Sequence, residues 1–260
     1  ILKEEIIDLA EESQQNIPIL LTDFKFSEAF KLGFELSKIY PIKFIEANGM
    51  YSNLNKILNY EEQYQMCLCT ENDLYEKFKK VGSSKDTLRV VCSFYRMEMM
   101  FILNAKFKIN TINQLKKLIE KKARNRETIK LGILNYKHSS HYDALKVLNV
   151  MNIDENTQGI SITEYDSMFD IFKDFDKDEI DFIFLTTTSK NNFLQEYLKN
   201  NFINILGISG FNDSLIKANF NTIFYQSVNL SKYNRIVQNV NNIFSYNNSN
   251  SNIVVNVEYK

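Results

Sequence analysis

The chain has 260 residues, 44 % of them apolar and 24 % charged, the composition of an ordinary soluble globular protein, with room for one large domain or two lobes of about 100–130 residues each. Seven glycines and two prolines exclude collagen-like and Pro-rich linker architectures, and they leave few residues for glycine-dependent phosphate loops. Thirty-one basic against 32 acidic residues give a net charge of −1 and a pI near 6.3, so no global field draws the chain to nucleic acid or to an acidic membrane. Asparagine is over-used, at 32 residues beside 29 isoleucines, which fits codon bias in an AT-rich genome.

Ile1 at the first position implies that the numbered chain begins after a removed segment, and no signal peptide is legible in the rest of the sequence. No run of 18 apolar residues suggests a membrane span. Cys67, Cys69 and Cys92 are an odd number. Cys67 and Cys69, two apart in an apolar strand, point to one face and read as buried free thiols rather than as part of a disulfide scaffold.

In chain order, residues 1–15 form an acidic helix with apolar positions at 2, 6 and 9. Residues 17–21 are a short apolar strand, after which Thr22 or Asp23 caps a helix over 24–39. Phe26, Phe30, Phe34 and Leu36 recur there at helical spacing, and Tyr40-Pro41 ends it. A second strand covers 42–47, Asn48-Gly49 turns the chain, and Ser52 or Asn53 opens a helix through Leu58. A third strand spans 64–70, a helix 71–81 and a loop 82–84. Residues 88–103 are apolar with Arg89, Arg96 and Glu98 embedded, and they read as one long strand or as two joined by a kink. Thr111 N-caps a helix through Ala123. Then come a strand at 129–134, a polar loop at 135–141 and a helix through Val150. Strands at 158–163, 180–185 and 202–208 alternate with helices at 165–175 and 189–200. Beyond 220 lie a strand at 222–228, a helical stretch at 231–244, a polar low-complexity loop at 246–252 and a last strand at 253–259.

This β-α-β-α alternation with short connections predicts an α/β architecture with largely parallel sheets. The expected organisation is an N-terminal helical extension (1–16), a first lobe (17–103 plus 206–260) and a second lobe (104–205), with the long 88–103 stretch as the handover.

No GxGxxG, Walker or GxSxG motif is present. His138-Ser139-Ser140-His141, with Asp143 nearby, is the most reactive-looking cluster, but two imidazoles offer no full zinc set. Ser139 and Ser140 read instead as caps of the helix that starts there, whose free N–H groups suit a carboxylate or phosphate. Thr186-Thr187-Thr188-Ser189 ends another strand: Thr188 or Ser189 caps a helix, or the hydroxyls line a cleft. An acidic run (Asp166, Asp170, Asp174, Asp176, Asp178, Asp181) lacks the glycine and terminal glutamate of an EF-hand loop and reads as a solvated face. So does the basic run Lys116, Lys117, Lys121, Lys122, Arg124 and Arg126, which has no interleaved aromatic platform for nucleic acid. The loops after the strands at 17–21, 42–47, 64–70 and 129–134 are polar and precede helices. In open α/β sheets ligands bind at that edge. The pattern is that of a cleft binder without a catalytic group, cofactor or metal.

The order of elements resembles the type II periplasmic-binding-protein fold: two lobes, each a mostly parallel sheet flanked by helices. Within it the chain resembles the TAXI family of TRAP-transporter solute receptors. The likeness rests on the strand, Thr-containing loop and helix with Gly33 over 19–39, and on the strand and polar loop leading to Asn53-Leu54. It continues through Leu88-Arg89-Val90-Val91 before Tyr95, Gln114-Leu115, Gly132, and Ser139-Ser140 where the family has Gly-Ser-Gly. The departures are the lost glycines and Arg96-Met97 where an acid is expected after Tyr95. The resemblance implies a non-enzymatic receptor that holds a small carboxylate-bearing ligand in an interlobe cleft. Thr22, Asp23, Asn48, Tyr51, Ser52, Asn53, Thr70, Tyr95, His138, Ser139, Ser140 and Thr187 are its candidate ligand-binding residues. It implies an extracytoplasmic address and a membrane-transporter partner. The competing reading is a repurposed binding-protein fold, serving as a subunit of a larger assembly in an organelle lumen such as the mitochondrion. A third is a transferase with a covalent cofactor on Cys67 or Cys69.

Overall fold

The computed structural model describes residues 17–24, 27–47, 49–59, 64–70, 73–74, 77, 88–154, 156–188, 191–201, 203–207, 223–229 and 242–256. The chain divides into two compact units, one of Ile1–Cys69, Lys77–Ser93 and Asn252–Lys260, the other of Thr70–Glu76 and Phe94–Ser251. The change from one to the other at Ser93/Phe94 falls within the strand Leu88–Asn104.

In the first unit, strands β1 (Ile19–Leu21), β2 (Lys43–Ile45) and β3 (Met66–Thr70) are parallel, with Leu20 opposite both Phe44 and Met66. Helix α1 (Glu28–Ser37) begins later than its sequence pattern suggests. Its N-cap is Ser27, extended at φ −78° and ψ 157°, whose Oγ accepts from Phe30 N at 3.1 Å. Thr22 does not cap it, because its hydroxyl donates to Ile45 O at 2.8 Å and pins the end of β1 to β2. Gly33 lets α1 lie directly on that strand end, since a Cβ there would collide with Thr22 Cγ2 and sit 3.3 Å from Phe44 Cβ. Phe30 and Phe34 then pack edge-on against Phe44, with ring centroids 5.2 and 5.9 Å away.

Helix α2 (Met50–Leu58) also departs from the expected start. Gly49, at φ 106°, is its N-cap, a left-handed conformation that suits glycine. Ser52 and Asn53 therefore lie inside the helix, and Asn53 shares its buried face with Met50, Leu54 and Ile57. Cys67 and Cys69 of β3 are buried and form no disulfide. Cys92, the asparagine at 48 and residues 1–16 lie outside what the structure describes at side-chain level.

β4 (Leu88–Asn104) is one unbroken strand of 17 residues, and from Phe94 onward it belongs to the second unit. β7 (Phe182–Thr187) and β8 (Ile203–Gly207) flank its second half, both antiparallel to it. β5 (Ile129–Leu134) runs parallel to β7 and to β6 (Ile160–Tyr165), giving the order β8-β4-β7-β5-β6. Alternate residues of these strands build two cores. Met99, Phe101, Leu103, Phe182 and Phe184 pack with helices α3 (Ile112–Arg124) and α4 (Ser139–Val150). Met100, Ile102, Ile183 and Leu185 pack with α5 (Met168–Asp176) and α6 (Asn192–Asn200). The unit is thus a three-layer α/β/α stack whose sheet is apolar on both faces.

Local capping explains where these helices start. Thr111 Oγ1 accepts from Gln114 N at 3.2 Å while Gln114 Oε1 accepts from Thr111 N at 3.2 Å, a complete capping box. Thr111→Ala is expected to lower stability by about 1 kcal/mol in denaturant titration, with the fold unchanged. Ser167 caps α5. Asn191, rather than Thr188 or Ser189, caps α6 through Leu194 N at 2.9 Å.

The last elements depart further from the sequence pattern. β9 (Ile223–Asn229) pairs antiparallel with β10 (Asn242–Asn256), from Asn242 opposite Asn229 to Asn248 opposite Ile223. The expected helix end at 242–244 and the polar loop at 246–252 are therefore strand. Ladder hydrogen bonds override the weak intrinsic β-preference of Asn and Ser. Residues 231–241 and 257–260 lie outside the described residues. Among the described residues no helix is long and apolar enough to cross a membrane.

Candidate functional site

Two polar clusters sit at carboxyl ends of strands, one in each unit. In the first unit, Thr22, Asp23 and Asn53 come together. Thr22 and Asn53 are fully buried and Asp23 is 9 % exposed. The Asn53 amide Nδ2 donates to Thr22 O, which ties α2 to the end of β1. Asn53 Oδ1 and Asp23 Oδ1 are both buried without a hydrogen-bond partner. Burial pushes the Asp23 carboxyl up to about 7. The Phe24 backbone N–H pulls the other way, and the charge of Glu46 adds to the rise. The cluster is rich in acceptors and short of donors, the reverse of an anion site. A buried acceptor left without a donor costs about 1–3 kcal/mol, and a bound N–H or cation would supply the donor that each of these oxygens lacks.

Of the neighbouring candidates, Tyr51 is half-buried with Lys77 Nζ 4.5 Å from its ring centroid. Ser52 is half-buried within α2. The side chain of Tyr95 is not among those described, though its backbone lies in β4.

In the second unit the cluster gathers at the start of α4. His138 is the N-cap, at φ −100° and ψ 142°, and makes no side-chain capping bond. This corrects the expectation that Ser139 and Ser140 cap the helix. They are its first two residues, and their hydroxyls serve other elements. Ser139 Oγ donates to Asp73 Oδ2. Ser140 Oγ accepts from Thr186 N at 2.9 Å. Asp73 also accepts from Thr70 N at 3.4 Å, while Thr70 Oγ1 accepts from Asp73 N at 3.1 Å. Burial raises the Asp73 carboxyl above its usual range, opposed by the bonds from Ser139 and Thr70 and by the charge of Lys146. With the serine hydroxyls engaged, what α4 presents is its first-turn backbone amides, which have no acceptor within the helix. Thr186, whose backbone N–H donates to Ser140 Oγ, keeps its own Oγ1 buried and without a partner.

The two histidines are held apart by different carbonyls. His138 Nε2 donates to Asp166 O at 3.0 Å, and burial holds that imidazole down at about 4, so it is neutral at physiological pH. His141 Nδ1 lies 3.1 Å from Leu134 O and 3.7 Å from Glu164 Oε1. Among the described residues no group of three or more His, Cys, Asp or Glu is placed to hold a metal. Thr187, the hydroxyl singled out at the end of β7, is half-buried on the opposite strand face from Thr186.

Sequence reasoning misses Asp73 as a candidate and weighs Thr186 only as one of a run of hydroxyls, with Thr187 preferred. Asp73 carries a legible signal: Thr70-x-x-Asp73 has capping-box spacing. Thr186 stands in a run of three threonines. Only the strand's register decides which hydroxyl faces α4.

No protein-family model matches the sequence, and no curated protein does either. Solved structures do match in fold. The arginine-bound form of a truncated ArgBP from T. maritima aligns with a TM-score of 0.51 and 11 % identity, over 96 % of this chain and 92 % of that one. An ancestral arginine-binding protein bound to arginine gives 0.52 and 10 %, over 93 % and 84 %. The effector binding domain of QuiR in complex with shikimate gives 0.51 and 8 %, over 94 % and 89 %. At these identities the likeness establishes the fold alone: the α/β fold, with mostly parallel sheets flanked by helices, that these arginine-binding proteins share with the QuiR effector binding domain.

Proposed function

We propose that the chain is a non-enzymatic solute-binding domain for a small carboxylate-bearing solute that also carries a cationic nitrogen. The observation that carries this reading is the pair of unsatisfied buried oxygens, Asp23 Oδ1 and Asn53 Oδ1. An ammonium or guanidinium group is the donor they lack, and its charge would keep the Asp23 carboxylate ionised. In the second unit, taken by itself, the first-turn amides of α4 and the unpartnered Thr186 hydroxyl are the groups that suit a carboxylate. The fold neighbours whose structures hold arginine, a molecule with both groups, support the same class. A narrower placement among TAXI receptors, delivering solute to a TRAP transporter, is part of the proposal. Its support is the motif resemblance at Thr22, Asn53-Leu54 and Ser139-Ser140.

The test is thermal denaturation at pH 8 with arginine, with agmatine (no carboxylate) and with shikimate (no cation). Arginine is expected to stabilise most, since a ligand at 100 times its Kd adds about 2.7 kcal/mol. Equal and null responses to all three overturn the reading.

A second reading, a binding-protein fold retained as a subunit of a larger assembly, is favoured by one feature of the first unit. Phe34, Ile39 and Tyr40, at the end of α1, are 46 %, 71 % and 57 % exposed. Ile39→Ser with Tyr40→Ser would abolish incorporation into such an assembly while leaving solute stabilisation intact.

A further inference from the structure

Two charged segments in the second unit take no part in either polar cluster. Residues 111–130 carry seven basic side chains against two glutamates. Residues 166–181 carry seven carboxylates against two lysines. In sequence each is a solvated face. The structure adds where they lie. α3 packs on the sheet face that presents Phe101 and Phe184, and α5 packs on the face that presents Ile102 and Ile183. The basic and acidic helices therefore form opposite outer layers of one α/β/α stack, and the second unit is an electric dipole across its sheet.

The two layers differ in how their charges are used. On the acidic layer, Asp174 and Asp176 accept from Tyr165 and Tyr197, and Asp178 and Asp181 pair with Lys106. Asp170 and Glu179 are exposed there, Asp170 accepting from Ser167 Oγ and Glu179 lying 3.9 Å from Lys177 Nζ, and Phe169, next to Asp170 in α5, is 64 % exposed. On the basic layer, Lys122 pairs with Glu127. Lys117, Lys121 and Arg124, spaced along α3, have no carboxylate at ion-pair distance among the described residues. A chain of net charge −1 has no overall repulsion to keep copies apart, and each copy offers both complementary faces.

We propose that the exposed basic face of α3 docks on the acidic α5 layer of a second copy of this chain, head to tail. The two surfaces differ, so the contact is heterologous: it propagates into short stacks or closes into a ring and does not stop at a two-fold dimer. Exposed charge pairs are individually weak and screened within about 8 Å at physiological salt. The association is therefore concentration-dependent and salt-sensitive, and Phe169 supplies an apolar anchor within the acidic rim.

Sedimentation velocity of the full chain tests this. Wild type at about 100 µM is expected to sediment as dimers and larger species near 20 mM salt and as monomer near 300 mM, a weakening of at least about tenfold. Two variants carry the decisive arm. K117E/K121E/R124E makes both layers acidic, and D170K/E179K brings the α5 layer close to neutral, with five carboxylates against four lysines. Each alone is expected to stay monomeric at low salt, with an unchanged circular dichroism spectrum, whereas the equimolar mixture associates. That rescue is not produced by misfolding or by general stickiness. Monomeric wild type at low salt, or a mixture that fails to associate, overturns the proposal. So does loss of wild-type binding to phosphatidylserine vesicles in K117E/K121E/R124E with no self-association at any salt, which would assign the basic face to a lipid surface.

Discussion

Asp23→Asn is expected to stabilise the solute-free protein at pH 8 and to abolish its response to arginine. The folded-state pKa of Asp23 is about 7 against an ordinary value of 3.8. Between those values the folded protein holds a proton that the unfolded chain has released, so stability falls as pH rises from about 4 to 7 and then levels off. At about 1.4 kcal/mol for each pH unit between the two, the full loss is on the order of 4 kcal/mol. The asparagine variant escapes it. The stability difference, variant minus wild type, should be near zero at pH 4 and grow to a few kcal/mol above pH 7. The difference is the informative quantity because His138, held down at about 4, contributes with the opposite sign: its stabilisation is complete above about 6.5 and is lost as pH falls toward 4. Chemical denaturation of both proteins from pH 4 to 8 measures it, and a flat difference would show that Asp23 is not the buried acid the structure makes it.

The same residue links stability to function. A guanidinium against Asp23 restores the carboxylate, so arginine binding at pH 6 should release up to about one proton, read as a dependence of the calorimetric enthalpy on buffer ionisation. In Asp23→Asn both the binding and the released proton disappear. Retained binding with no proton release would place the cationic group elsewhere, leaving Asp23 as an unexplained cost to the fold.

How much of this is legible in the sequence depends on the kind of signal. The strands at 129–134 and 88–104 and the capping of α3 by Thr111 follow from apolar periodicity and from side-chain chemistry within four residues. Thr22 looks equally like a cap, yet its hydroxyl goes to Ile45 O, a partner 23 residues away that no local pattern reveals. Ser139 and Ser140 resemble caps for the same reason, and the structure commits them to Asp73 and Thr186. Asn53 shows how a site can be found from sequence: a polar residue in register with Met50, Leu54 and Ile57 on a buried helix face is an anomaly that asks for a partner. The Asn-rich strand β10 lies furthest from reach, because its pairing with β9 supplies the ordering that its composition does not.

Asp73 and Ser139 should behave as one unit when mutated. Asp73→Ala removes the acceptor of both Thr70 N and Ser139 Oγ in a buried setting, and a loss of about 2–4 kcal/mol is expected for two donors left without partners. Ser139→Ala removes one donor to a buried carboxylate, at a cost of about 1–3 kcal/mol. Because that donor favours the ionised form, its loss raises the Asp73 carboxyl further, and the cost of Ser139→Ala should grow with rising pH. The double variant should cost less than the two singles together, with a coupling of about 1–3 kcal/mol, since neither group is then left facing an absent partner. Additive losses would mean that Ser139 is not held by Asp73. Its hydroxyl would then be free for solute, and Ser139→Ala should weaken arginine binding. Coupled losses with binding retained would instead assign the solute carboxylate to the amides of α4, with Asp73 and Ser139 fixing where that helix begins.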